Sequence, residues 1–147
     1  MARRTGPWRV ALVASALILA VGSEAGAFPP ATNYATQCQG CHRARGEGTA
    51  DIVPRIDGTI GEILARPGGR EYLIRVPGVA QAQLDDGELA TLLDWVVERF
   101  GGPAATDAPA FLAEEVGRLR REPLIDVTAA RARLFASEVS APVAAPR

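Results

Sequence analysis

Apolar positions recur most regularly between Asp86 and Phe100. Leu89, Leu92, Leu93, Val96, Val97 and Phe100 fall on one stripe at 3.6-residue spacing, with Asp94, Glu98 and Arg99 opposite, which predicts an amphipathic helix. Asp85 stands where an N-cap belongs and Glu88 follows three residues later, the spacing of a capping box. Gly101 is the expected stop. Upstream, Ala31 to Gln37 predicts a short helix behind the Pro29-Pro30 lead-in. Gly69 to Val76 predicts another, ended by Pro77-Gly78. Between them residues 43–58, with Gly46, Gly48, Pro54 and Gly58, read as loop. No stretch alternates as a strand would, so the expected class is all-α with long loops.

Beyond Gly101 the pattern changes. Residues 102–109, Gly-Pro-Ala-Ala-Thr-Asp-Ala-Pro, read as a linker. Residues 110–147 read as a helical, partly disordered extension. In it Phe111, Leu112, Glu115, Val116 and Leu119 share one helix face, with Arg118, Arg120 and Arg121 expected on the other. Pro123 breaks this helix, and Thr128 is the expected start of a second one carrying Leu134 and Phe135. The apolar residues here are too few for an independent core, so the extension either wraps the preceding region, docks a partner or stays mobile.

The N-terminus carries a different signal. Arg3, Arg4 and Arg9 precede the apolar run Val10–Gly22, and the small residues Ala25-Gly26-Ala27 close it, which reads as a secretory leader spanning 1–27 and cleaved after Ala27. The run is 13 residues long, against roughly 18 or more for a spanning helix, so no stable membrane span is expected after cleavage. The expected location is therefore periplasmic. The remaining chain has 13 arginines, no lysine and 16 acidic residues, which lacks the concentrated basic surface that nucleic acid requires.

Candidate chemistry gathers in one short stretch. Cys38-Gln39-Gly40-Cys41-His42 is a C-x-x-C-H sequence holding both cysteines and the one histidine of the chain. A disulfide between them would close only a tiny loop and stabilise little. A thioredoxin-like pair needs a preceding strand and a βαβ setting, neither of which the pattern offers. A structural zinc site needs four ligands, and only three Cys or His residues exist. The spacing suits covalent haem attachment. Two thiols one helical turn apart meet two vinyl groups, and the adjacent imidazole of His42 becomes an axial iron ligand. One haem c, bound through Cys38 and Cys41, is the expected cofactor. It also supplies the staple that about 74 residues of modest aliphatic content need.

Residues 31–101 resemble the class I cytochrome c family. Tyr34-Ala-Thr-Gln-Cys38-Gln-Gly-Cys41-His42 is similar to that family's first helix and haem site, and Gly46-Glu-Gly48 to the glycine-rich loop after it. Pro54 stands where the family places a proline whose neighbouring carbonyl accepts the proximal imidazole N–H. Leu84 to Val96, with Trp95 at the usual aromatic position, is similar to the C-terminal helix. The resemblance implies a small helical haem domain over 28–101. It also implies a non-enzymatic role, relaying single electrons between redox proteins such as a periplasmic dehydrogenase, reductase or oxidase. Arg55 is the preferred partner for a haem propionate, ahead of Arg43 and Arg45, through a forked guanidinium contact. Tyr34 and Trp95 read as packing residues.

The chain departs from that family at the sixth iron ligand. The usual distal methionine is missing: the one methionine is Met1, and no second histidine or lysine replaces it. The corresponding segment, Val76 to Leu84, has no strong donor. Either the distal face is open, lined by Val79, Ala80 and Leu84, or a weak donor such as Gln81 or Tyr72 fills it; a partner's side chain is a third route. Loss of methionine ligation predicts a lower potential than in the usual carriers. An open iron permits the alternative role of a five-coordinate haem protein binding or reducing carbon monoxide, nitric oxide or peroxide. Without a distal histidine, only weak peroxidase-like activity is expected.

Overall fold

The computed structural model describes residues 27–136, so the expected leader, 1–27, falls outside the described residues except for Ala27, and so does the end of the extension from 137 onward. Among the described residues the elements are helical. They are α1 (Pro30–Gln37), α2 (Gln39–His42), α3 (Thr59–Leu64), α4 (Gly69–Arg75), α5 (Pro77–Ala80), α6 (Asp86–Phe100), a 3₁₀ turn (Pro103–Ala105), α7 (Ala113–Leu119) and α8 (Val127–Ala136). The fold is all-α. No helix here is long and apolar enough to cross a membrane.

Helix α6 is the organising element. Its N-terminus carries the capping box expected from the sequence: the Asp85 carboxylate accepts from Glu88 N at 2.8 Å, and Glu88 accepts from Asp85 N at 3.1 Å. The apolar stripe Leu89, Leu92, Leu93, Val96 and Phe100 is buried. It packs against α1 and, further along, against α7. At the α1 crossing Tyr34, Trp95 and Phe100 form an aromatic cluster with ring centroids 5.3 to 5.9 Å apart, a spacing at which tilted and edge-on rings attract.

Three local features differ from the sequence expectations. Thr59–Leu64 is a helix in a stretch to which the hydropathy pattern assigned no element, and its Ile60 and Ile63 enter the core. Pro77 ends α4 but also opens the one-turn helix α5, because proline at the first helical position sacrifices no hydrogen bond. The linker segment is not free chain: Pro103–Ala105 turns against α3 and buries Ala105.

The extension lies against the body through three arginines. Arg70 on α4 grips Glu115 with two parallel N–H···O bonds of 2.6 and 2.7 Å, donates to the carbonyls of Pro109 and Ala110, and stacks on Phe111 at 3.9 Å. Asp94, on the polar face of α6, accepts from Phe111 N at 2.8 Å. Arg75 donates to Glu122 O, and Leu124 N donates to Arg75 O. Two expectations for α7 need correction. Leu112 lies just before the helix and is exposed, so it is not on the buried face. Arg120 is not on the solvent side: its side chain is 15% exposed and its guanidinium reaches the chain ahead of α6.

Candidate functional site

Cys38 is the joint between α1 and α2. Its N–H donates to Tyr34 O and its carbonyl accepts from His42 N, both at 2.9 Å, so the two cysteines and the histidine sit on one continuous helical turn. Tyr34 anchors this turn from beneath: its buried hydroxyl donates to Arg43 O at 2.7 Å. Burial, with Cys38 and Glu47 nearby, pushes the phenol up to about 12, so it stays a donor. Burial together with Cys41 raises the Cys38 thiol to about 11.

The chain then turns through Arg43, at φ 61°, into the glycine loop. Gly48 is required there on two counts. Its φ is +66°, and a Cβ would stand 2.3 Å from Val53 O and 2.8 Å from Pro54 C and O. That close approach carries Pro54 over the motif, where its carbonyl accepts the His42 Nδ1–H at 3.1 Å, taking the ring in the Nδ1-protonated tautomer. This tautomer leaves Nε2 as the basic nitrogen. Burial lowers the His42 pKa and the Pro54 contact opposes that shift, so the ring is neutral at pH 7, as a metal ligand must be.

The two cysteines, His42 and Pro54 form one edge of a cavity of about 310 Å³. Ile60 and Ile63 of α3 and Leu89, Leu92, Leu93 and Val96 of α6 line it, as do Tyr72 and Leu73 of α4, Val76 after it, and Pro77, Gly78 and Val79 of α5. Its surface is mostly carbon, so an apolar occupant would exchange water there for apolar contact. The residues present therefore fit a haem: a carbon-lined hollow, two thiols at its edge and one oriented neutral imidazole.

No family model matches the chain. Two curated relatives do. Cytochrome c-552 of Thermus thermophilus is 36% identical over 107 residues, covering 60% of this chain and 82% of that protein. The cytochrome c-552 of a second Thermus thermophilus source, strain ATCC 27634, is also 36% identical over 107 residues, covering 60% of this chain and 72% of its own.

The chain belongs to the class I c-type cytochrome family.

As a class I cytochrome it places its expected site residues unevenly. Cys38, Cys41, His42 and Pro54 come together at the cavity edge. Arg55 also borders the cavity, but its guanidinium is engaged with the side chain and carbonyl of Asp57. Arg45 is paired with Glu47 at the surface. In the segment that the family resemblance assigns to the distal side, Val79 lines the cavity, whereas Ala80 and Leu84 do not. Gln81 is exposed and outside the lining; Tyr72 is inside it. The coil of α5 accompanies this division: Val76, Pro77, Val79 and Ala82 line the cavity, Ala80 and Leu84 do not, and the carbonyls of Ala80 and Leu84 accept from Arg120 of the extension. Two residues that sequence reasoning missed complete the lining, Val127 and Arg131 of α8. Arg131 also stacks on Phe135 at 5.0 Å, with Arg66 over the same ring at 4.1 Å. Their signal was faint, since α8 has almost no amphipathic contrast between its faces.

Proposed function

We propose that the protein is an exported monohaem c-type cytochrome that carries single electrons between redox partners in the periplasm. Its haem is attached through Cys38 and Cys41, and His42 Nε2 is the proximal ligand. The observation that carries this reading is the hydrogen bond from His42 Nδ1 to Pro54 O at the edge of a carbon-lined cavity that both thiols also border. When bound, the haem supplies a one-electron iron couple. The chain does the rest. Pro54 orients the imidazole and raises its basicity. The side chains of α3, α4 and α6 exclude water from the cavity, and the solvent-exposed Cys41 side of the motif is where a partner protein would approach.

The test is expression with a haem-attachment system, followed by mass analysis and spectra of the exported protein. The expected product begins at Phe28, carries the mass of one haem resistant to acid extraction, and loses it when Cys38 and Cys41 are both replaced by Ala. A product with no covalent haem refutes the reading.

A second reading is favoured by the distal lining. Val76, Pro77, Val79 and Ala82 present only carbon to the cavity, and Tyr72 is the one polar side chain contributed by α4 and α5. Such a wall would leave the iron open to carbon monoxide, nitric oxide or peroxide. A high-spin ferrous spectrum that shifts promptly with carbon monoxide supports this role; a low-spin spectrum indifferent to it assigns the site to Tyr72 or another internal donor.

A further inference from the structure

Residues 76–84 pose a mechanical problem. In a methionine-ligated cytochrome the corresponding loop is tied to the iron by its own side chain. Here the segment offers only Val76, Pro77, Gly78, Val79 and Ala82 to the cavity, none of which can bind a metal. After the single turn of α5, residues 81–84 belong to no helix: Gln81 N and Ala82 N bond back to Pro77 O and Val79 O, and the carbonyls of 80, 82 and 84 are left for partners outside the loop. Something else must hold this loop over the cavity.

The structure puts one side chain on its outer surface. Arg120, at the C-terminal end of α7, sends its guanidinium into the concave back of the loop. Nε donates to Ala80 O at 3.0 Å, Nη2 to Ala82 O at 2.6 Å and Nη1 to Leu84 O at 2.9 Å. Nη1 also meets Asp86 Oδ1 at 3.2 Å, which balances the charge at the start of α6. Gly117 makes room for this: a Cβ there would stand 2.2 Å from Asp86 Oδ2. Four of the five N–H donors of a planar fork are thus used, three on alternate carbonyls of one loop. Hydrogen bonds from a charged donor are the strong kind, and a planar fork loses little entropy in making them. A second link, Gln83 N to Gln37 Oε1 at 3.1 Å, ties the loop to the end of α1.

We infer that Arg120 is a positioning residue for the distal wall: the C-terminal extension holds loop 76–84 closed from outside, replacing the tether that an iron-bound side chain gives from inside. The extension is thereby part of the pocket, and it controls how readily a small neutral ligand reaches the distal face. This inference rests on the haem reading above, so the experiment begins by confirming covalent haem in every sample; its absence sinks that reading, whereas the exchange measurement below still judges the tether.

The experiment compares wild type, Arg120→Ala and Arg120→Lys as holoproteins. Amide hydrogen exchange in residues 77–84 is expected to rise at least about tenfold in Arg120→Ala, with Lys between, because local opening loses several charge-assisted bonds. Amides in the middle of α6 are expected to stay unchanged. Carbon monoxide association with the ferrous protein is expected to quicken by at least about threefold in Arg120→Ala. Unchanged exchange in the loop overturns the tether, and faster exchange with unchanged carbon monoxide kinetics overturns its control of access. If Arg120→Ala is not produced as holoprotein, native-state exchange of the wild type in rising denaturant decides. Residues 77–84 and 113–122 opening together supports the tether, and the loop opening first overturns it.

Discussion

Gly48→Ala tests the link between backbone geometry and the proximal histidine. The substitution places an L-residue at φ +66°, which costs about 1–2 kcal/mol by itself. The new Cβ would lie 2.3 Å from Val53 O, so the Val53–Pro54 backbone must retreat by about 0.7 Å to reach even 3.0 Å. Two hydrogen bonds depend on that backbone: Thr49 N to Val53 O at 2.9 Å and His42 Nδ1 to Pro54 O at 3.1 Å. A retreat of this size takes the second beyond bonding range. At about 0.5–1.5 kcal/mol net for each bond, the total loss is roughly 2–5 kcal/mol. Denaturant titration of the holoprotein measures it. The midpoint potential gives an independent readout with a definite sign. An imidazole that loses its N–H acceptor becomes a weaker donor to iron, which favours the ferrous state, so the potential is expected to rise. Gly40→Ala is the control. Gly40 lies between the cysteines in a helical turn, at an ordinary φ and with nothing within 4 Å of the added Cβ, and the change is expected to be neutral or slightly stabilising. A Gly48→Ala protein within about 1 kcal/mol of wild type and with an unshifted potential would refute the reasoning.

The remaining predictions concern the core, the extension and the cavity mouth. Ile74→Ala empties a fully buried position and is expected to cost about 2–5 kcal/mol, read by denaturant midpoint at constant slope; a loss below about 1 kcal/mol would show that α4 is not a packed centre of the fold. Glu115→Gln removes the charge from the Arg70 pair and is expected to cost about 1.5–3 kcal/mol at pH 7. The Arg70 hydrogen bonds hold the Glu115 pKa below its unfolded value of 4.5. The contribution is therefore complete above that value and fades as pH falls through the lower folded pKa, so the two proteins converge in acid. A difference independent of pH would reject the pair as its cause. Arg131→Ala and Arg55→Ala each remove a positive charge from the cavity lining. Each is expected to lower the midpoint potential by about 20–60 mV, the scale of a partly screened charge, with Arg131 giving the larger shift because Arg55 is already paired with Asp57. Equal or absent shifts in potentiometric titration would count against that ranking.

What could be read along the chain was whatever depended on near neighbours. The Cys38–His42 motif works through residues one helical turn apart, and α6 is set by its own stripe and capping box, so both were legible from spacing alone. The class of fold followed, since no segment alternated as a strand. Thr59–Leu64 and α5 were harder: each is too short for periodicity to speak, and tertiary burial of Ile60, Ile63 and Ala80 sustains them.

Contacts between distant residues were another matter. The carbonyl that orients His42 belongs to a residue 12 positions away, and family resemblance rather than pattern pointed to it. Arg120 looked like a solvated helix face because hydropathy assigns every arginine to water. Its partners are the backbone carbonyls of Ala80, Ala82 and Leu84, which lie 36 to 40 residues away. Any residue has such a carbonyl, so the side chains there gave no hint of them. Arg70, which reaches the carbonyls of Pro109 and Ala110, was hidden for the same reason. A thiol pair and an imidazole announce their chemistry by identity and spacing. An arginine's role depends on which acceptors the folded chain brings within reach of its long stem, and folding alone made that choice.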